Sequence, residues 1–352
     1  MKPHLLTALL LAAPAAAAQT TSVPSIPATP PSSTAVPGRA TPGTTMSSTA
    51  TPGTASALTL RLTAQPGATV QLTSTVRSQI TLEDLRLTGP GGQAASAAEA
   101  ASLRADIQRG LNAASAQAAV SKTFYRVQGR AADGTVTLLT SAVTNVPGQP
   151  PSTVRVTQTV APDGRLRFTR VESDDPQVQA ALQGLPLDKL GTQGNLGSDL
   201  TGLYGQTFAV GQPRTQSETL DAQALLGGIF GGMAASMGAG DALGSVKATP
   251  LTVRTTTTYR GMNASGQSVF DQRGSAGNWT VELGDPNSKT APFHVKMDLL
   301  ELTQSGQSLY RPDGLPAALS MTQTLRMRAT FTQPDGSQMQ MTLHLNQNVQ
   351  AR

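Results

Sequence analysis

The chain has 352 residues, 38% of them hydrophobic and 13% charged, which is enough for a sizeable core in one large domain or two small ones. A net charge of only +5, aromatic content of 3% and no run of Lys and Arg to track a phosphate backbone argue against nucleic acid as a partner. With no cysteine, disulfides, thiolate catalysis, Cys-based metal sites and lipoprotein acylation are all excluded, so stability rests on burial and backbone hydrogen bonding.

Residues 1–18 read as a signal peptide: Met1-Lys2-Pro3-His4 is a short positive start, Leu5 to Ala13 an apolar run, and Ala16-Ala17-Ala18 a small-residue cleavage site. The run is too short for a transmembrane anchor, which needs about 20 residues, so no transmembrane span is expected. The prediction is an exported protein, periplasmic, cell-surface or secreted. Residues 19–57 are rich in Ser, Thr, Pro and Gly. Ala40-Thr41-Pro42-Gly43-Thr44 recurs as Ala50-Thr51-Pro52-Gly53-Thr54. Such a stretch buries too little apolar surface to offset its ordering entropy and is expected to be a disordered spacer, acting as a passive linker or as a stalk. The folded region is then 58–352, read either as one domain or as two similar halves, 58–205 and 206–352.

Strand periodicity begins with Leu58, Leu60 and Leu62 on one face, turns at Pro66-Gly67 and resumes with Val70, Leu72 and Val76. From Gln93 to Val120 the period changes to helical, with Leu103, Ile107 and Leu111 on one stripe and Gly110 as a weak point that allows two shorter helices. Strands are expected at 122–129, 135–146, 153–160 and 165–171, with Asp133-Gly134 and Asp163-Gly164 as hairpin turns. A short helix is expected over 176–183, then strand fragments at 206–210 and 215–220.

Beyond Pro250 the alternation is clearest. Val253, Thr255, Thr257 and Tyr259 share one face; so do Phe293, Val295, Met297 and Leu299; then Leu325, Met327, Ala329 and Phe331; then Met339, Met341, Leu343 and Leu345. Asp335-Gly336 turns the last hairpin. Ser265-Gly266-Gln267-Ser268 and Ser305-Gly306-Gln307-Ser308 read as two similar hairpins. The fold class is therefore α+β, mainly β: a curved, half-barrel-like antiparallel sheet with one apolar face covered by one or two helical segments.

No chemical motif emerges. His294 and His344 fall on polar strand faces as solvated positions, and neither a Gly-x-Ser-x-Gly elbow nor a His-Glu-x-x-His pair occurs. Glu83-Asp84 and Asp174-Asp175 read as solvated loop acids. Hence no enzyme, no cofactor and no metal are expected. The unusual segment is 222–240, which carries no charge and has small residues at every fourth position from Ala224 to Gly240. Beside them Leu225, Leu226, Ile229, Phe230, Met233 and Met237 form an apolar ridge, the candidate contacts for an apolar ligand. Three readings of it stand open: a lid over the sheet, a membrane-touching loop, or an insertion packed on the core. Inward Met297, Met327, Met339 and Met341 suit either adaptable ligand contact or ordinary core filling.

The signal, spacer, long amphipathic strands and covering helices together resemble the exported half-barrel proteins that carry lipids or lipoproteins across the bacterial periplasm. The step Phe208-Ala209-Val210-Gly211-Gln212, followed by Thr-rich strands such as 255–259, is similar to an uncharacterised group of exported β-rich proteins. The functional expectation is a non-enzymatic envelope protein binding an apolar or lipid ligand in its curved sheet. The alternative is a structural or interaction protein of the envelope, tethered by its N-terminal stalk to an envelope protein partner.

Overall fold

The structure is a computed structural model and describes residues 57–115, 118–145, 151–176, 178–179, 203–220, 223, 246–284 and 294–352. The signal call, the spacer call up to residue 56, residues 180–202 and the ridge from Leu225 to Met237 lie outside the described residues, while Ala57, the last residue of the expected spacer, opens the first strand.

Fifteen strands and one long helix are present in that set. In chain order they are β1 (Ala57–Thr59), β2 (Thr69–Thr88), helix α1 (Ala97–Ser115), β3 (Ala119–Arg130), β4 (Val136–Asn145), β5 (Ser152–Val160), β6 (Leu166–Ser173), β7 (Thr207–Ala209) and β8 (Pro213–Leu220). They continue with β9 (Val246–Ala248), β10 (Leu251–Met262), β11 (Ser268–Ala276), β12 (Trp279–Leu283), β13 (His294–Tyr310), β14 (Pro316–Thr332) and β15 (Gln338–Ala351). Thirteen strands form one antiparallel sheet in the order β6-β5-β4-β3-β2-β15-β14-β13-β11-β10-β8, with β12 and β9 extending the β11 and β10 positions. Two meanders thus meet where β2 pairs β15 along the register Thr88↔Gln338 to Ser74↔Ala351.

Five hairpins share one turn chemistry. In 131–135, 161–165, 263–267, 311–315 and 333–337 the first residue bonds the fifth, and a glycine at the fourth position donates its N–H back to the first. Those glycines adopt φ between 73° and 88°, open to glycine without a Cβ penalty. In four of them an Asp at the third position accepts the N–H two residues on. Asp133-Gly134, Asp163-Gly164 and Asp335-Gly336 are placed as their sequence indicates. Ser305-Gly306 is not a hairpin: it lies mid-strand in β13, and a Cβ on Gly306 would collide with the Ser320 carbonyl of β14. Glycine there answers a close backbone approach instead of a turn.

The alternation at Leu58, Leu60 and Leu62 leads to a different partner from the main sheet. Among the described residues β1 pairs only with β7, and Leu60, Leu62, Ala64, Leu203, Tyr204 and Phe208 form a buried plug. Around this plug one core gathers Val160 and Leu166 from one flank of the sheet and Tyr259 and Phe270 from the other. The plug touches both flanks directly. A Cβ on Gly164 in the β5–β6 turn would strike the Tyr204 carbonyl, and Phe208 meets Phe270 of β11 edge-on; at the β13–β14 turn between them a Cβ on Gly314 would strike the Arg61 carbonyl and the Tyr204 hydroxyl donates to Gly314 O. Both flanks therefore curl toward one face, which is concave.

At the opposite end a second core contains Ile80, Leu82, Val281, Val295, Met297, Phe331, Met341 and Leu343, with Leu111 of α1. Helix α1 runs unbroken through Gly110 and starts in a capping box, where Ser96 Oγ accepts the Glu99 N–H and Glu99 Oε2 accepts the Ser96 N–H. The helix also takes the place of a strand. β3 pairs β2 only as far as Val76, and past that point α1 side chains serve the β2 backbone. The Ile80 N–H donates to Ser115 Oγ, the Leu82 N–H to Gln108 Oε1, and Arg104 Nη2 donates to the carbonyls of Leu82 and Glu83. A sheet edge that would otherwise carry orphaned groups is thereby closed.

Candidate functional site

The concave face is the candidate site, and its composition follows from strand parity. Between the two apolar ends, cross-strand register produces rows of side chains running across the sheet. One row reads Ala276, Leu302, Leu325, Leu345 and Ile80. The next reads Gln216, Thr255, Gly274, Gln304, Gln323, Gln347 and Ser78. A third reads Gln272, Gly306, Met321, Val349 and Val76. Three glutamines on three adjacent strands thus stand in register, forming an amide band.

The amides have places to lie. A Cβ on Gly274 would overlap the Gln304 side chain, so that chain folds across the bare glycine of β11. Gln347 Nε2 donates to Ser78 Oγ at 3.3 Å on the β2 side. Gln323 and Gln347 are buried, whereas Gln304, Leu302, Leu325 and Met327 are half-buried. Farther toward the plug, Ser308 is 1% exposed and its Oγ has no hydrogen-bond partner among the described residues, as is the case for Thr140 Oγ1 across the concavity.

Ionic groups are sparse on this face among the described residues. Among the described residues, Asp, Glu, Lys, Arg and His fall on it only at Arg214 and Glu218 of the edge strand β8 and at Arg130 at the plug end of β3. Arg130 is committed to the plug, donating to the carbonyls of Leu62 and Ala64. Burial pushes the Glu218 carboxyl above the usual glutamate range.

The convex face carries the charges, mostly in pairs. Arg326 Nε donates to Glu83 Oε2 at 2.6 Å, with His344 Nδ1 3.5 Å from Glu83 Oε1, and Arg260 Nε donates to Asp271 Oδ2 at 2.6 Å. Burial raises the Asp271 carboxyl, but hydrogen bonds from Gln307 and Arg260 outweigh it and the net shift is downward. Glu83 and Asp84 sit at a bulge of β2, not in a loop. Asp174 and Asp175 serve the backbone: they accept the N–H groups of Thr153 and Val178. His344 is on the polar face as expected; His294 is too, but its Nε2 is shut off from solvent without a partner among the described residues, so it is not a solvated position. No cluster of three or more metal-ligating side chains occurs among the described residues.

The inward methionines Met297, Met327, Met339 and Met341 all belong to the second core. The glutamine band was missed in the sequence, yet its signal is there. Gln304, Gln323 and Gln347 each occupy the apolar phase of their strand, two residues from Leu302, Leu325 and Leu345. Comparison with protein-family models, curated proteins and solved structures found no match to this chain.

Proposed function

We propose that this is an exported, non-enzymatic protein of the cell envelope that shelters an apolar or lipidic ligand against the concave face of its sheet. The observation that carries the reading is the segregation of charge. Among the described residues, Arg, Lys, Asp and Glu are frequent on the convex face and nearly absent from the concave one, which holds half-buried Leu302, Leu325 and Met327. A half-buried apolar surface free of ions suits an apolar guest, because water leaves it at a gain of roughly 25 cal/mol per Å². Native mass spectrometry of protein purified from its own envelope tests this. The expected result is a co-purifying lipid whose removal lowers the thermal midpoint. Identical masses and midpoints before and after delipidation, with no lipid recovered, overturn it.

A second reading, an envelope interaction protein tethered by its N-terminal stalk, draws on the convex face of β3 to β5. Phe124 (39% exposed) and Leu139, Ser141 and Val143 line a groove of about 370 Å³ between Arg126 and Arg155. Exposed apolar side chains rimmed by polar ones mark interaction sites. Pull-down from intact envelopes with and without residues 20–56 separates the readings: a stalk-dependent protein partner supports the second, a bound lipid the first.

A further inference from the structure

We infer that the convex face of β3 to β5 docks on an anionic phospholipid bilayer. The inference rests on the groove of the second reading being a contact surface and names what it meets. It does not depend on a guest against the concave face.

Strand parity gathers one sign of charge here. The stretch of β2 from Thr69 to Arg77 and the whole of β3, β4 and β5 contain no Asp or Glu, while Arg77, Lys122, Arg126 and Arg155 all stand on the convex side. All four are exposed, and Arg77, Lys122 and Arg126 make no salt bridge among the described residues. The flanking acids are engaged elsewhere. Glu172 of β6 stands opposite Arg155 but pairs with Arg170 at 2.7 Å. Asp174 is held low chiefly by hydrogen bonds from Thr153, with the charge of Arg155 a lesser cause. A positive surface with its acids already occupied attracts an anionic partner.

Apolar side chains stand between these cations. Val120, Lys122, Phe124 and Arg126 alternate along the convex side of β3. Of the four large apolar residues exposed among the described residues, two are Val120 and Phe124. Ser141 lies between Phe124 and Arg155 in the register, and Leu139 and Val143 flank it along β4. Phe124 and Arg155 are thus two strands apart, about 10 Å at the usual spacing, so a hydrocarbon contact and an anion contact are offered side by side. That pairing suits the acyl and phosphate layers of a bilayer surface, where aromatic and aliphatic side chains beside Lys and Arg are the usual anchors. Protein–protein interfaces, by contrast, are depleted of Lys. A convex face can also meet a plane, along a strip a few strands wide.

A solvated strand face is the plainer account, since single exposed apolar residues are ordinary and a chain of net charge +5 is drawn weakly to any anionic surface. The two accounts differ in position dependence. Sedimentation of the full exported chain with phosphatidylcholine vesicles, plain or mixed equally with phosphatidylglycerol, tests them. Binding is expected to the mixed vesicles only. It should fall as salt rises from about 0.1 M, where the screening length is about 10 Å, to about 1 M, where it is about 3 Å. Lys122→Gln and Arg126→Gln should each weaken binding about fivefold, the factor for one cation near an anionic membrane. Phe124→Ser should weaken it several-fold and keep its salt dependence. Arg254→Gln, the same loss of charge on the convex face of β10, should leave it unchanged. An equal loss in Arg254→Gln means that net charge alone drives binding, and overturns the site. Unchanged binding in the Lys122→Gln/Arg126→Gln double variant, whose two positions are exposed and carry no core packing, also overturns it. No sedimentation with either vesicle, or equal sedimentation with both, overturns the bilayer assignment. A stalk-dependent protein partner in the pull-down above would then still uphold the second reading.

Discussion

Replacing Phe270 by alanine tests whether the plug joins the two flanks of the sheet into one core. Phe270 is 0% exposed and meets three rings, with centroids 5.2 Å from Phe208, 5.1 Å from Tyr259 and 5.7 Å from Tyr310. The Phe208 and Tyr310 contacts are edge-on, a geometry that contributes about 0.5–1.5 kcal/mol per pair beyond buried area. Core Phe→Ala substitutions cost about 3–5 kcal/mol, and a site ringed by other aromatics collapses poorly, which places this one near the upper end. For a folded unit of this size each kcal/mol moves the midpoint by about 2–4 °C, so differential scanning calorimetry should register a fall of roughly 10–20 °C. Because Phe208 belongs to the plug and Phe270 to β11, a double-mutant cycle between them isolates the plug–sheet contact. A coupling of about 0.5–3 kcal/mol is expected for residues in contact. A drop of only a few degrees, or strict additivity of Phe208→Ala and Phe270→Ala, refutes the shared core.

Gly314 and Gly336 occupy the same position of the same turn, at φ 84° and 81°, but only a Cβ on Gly314 meets backbone, at Arg61. Both alanine substitutions should cost about 1 kcal/mol for the positive φ, with Gly314→Ala at least about 2 kcal/mol worse by urea denaturation because it displaces the plug. Gln108→Leu leaves the Leu82 N–H without its acceptor and should cost about 1–3 kcal/mol, read by the same denaturation and by faster hydrogen exchange at Leu82. The raised carboxyl of Glu218 contributes stability that is complete below its unfolded value near 4.5 and is lost as pH rises through its folded value, so Glu218→Gln should raise the thermal midpoint at pH 7 and lose that advantage below about pH 4. The turn carboxylates have the opposite sign. Asp133 and Asp163 are held low chiefly by the N–H groups of Thr135 and Arg165, and Asp335 chiefly by the Ser337 hydroxyl, so their contribution is present above about pH 4 and disappears on acidification; Asp335→Asn should flatten the acid limb of the midpoint–pH curve.

Period-two hydropathy located the strands because a sheet with one wet face writes its parity into every second residue. It assigns each residue a face but not a neighbour. Leu60 and Leu62 show the gap: their alternation is genuine, yet β1 joins β7 across 148 residues and the segment becomes a plug. The β2–β15 seam, which brings the first and last strands of the main sheet together, leaves no local trace either. Glycine was ambiguous for a related reason. At Gly266 it relieves a positive φ in a turn, at Gly306 it relieves a steric approach within a strand, and the flanking residues Ser-Gly-Gln-Ser are identical.

The site was half legible. Strand parity predicts an apolar inner face, and the absence of charge on it can be read from residues such as Val295, Met297 and Leu299. The amide band was hidden because one glutamine in one strand reads as a surface residue that slipped phase. Only the register shows that Gln304, Gln323 and Gln347 slip phase on three neighbouring strands at the same height. A buried polar group is tolerated only where partners exist, so three glutamines in line are a constraint on how these strands pack and not three independent surface positions. That row sits between a core closed by the plug and a core closed by α1, the two ends where apolar packing is complete. The concave face is therefore graded along its length, with a row of amides standing between two apolar ends.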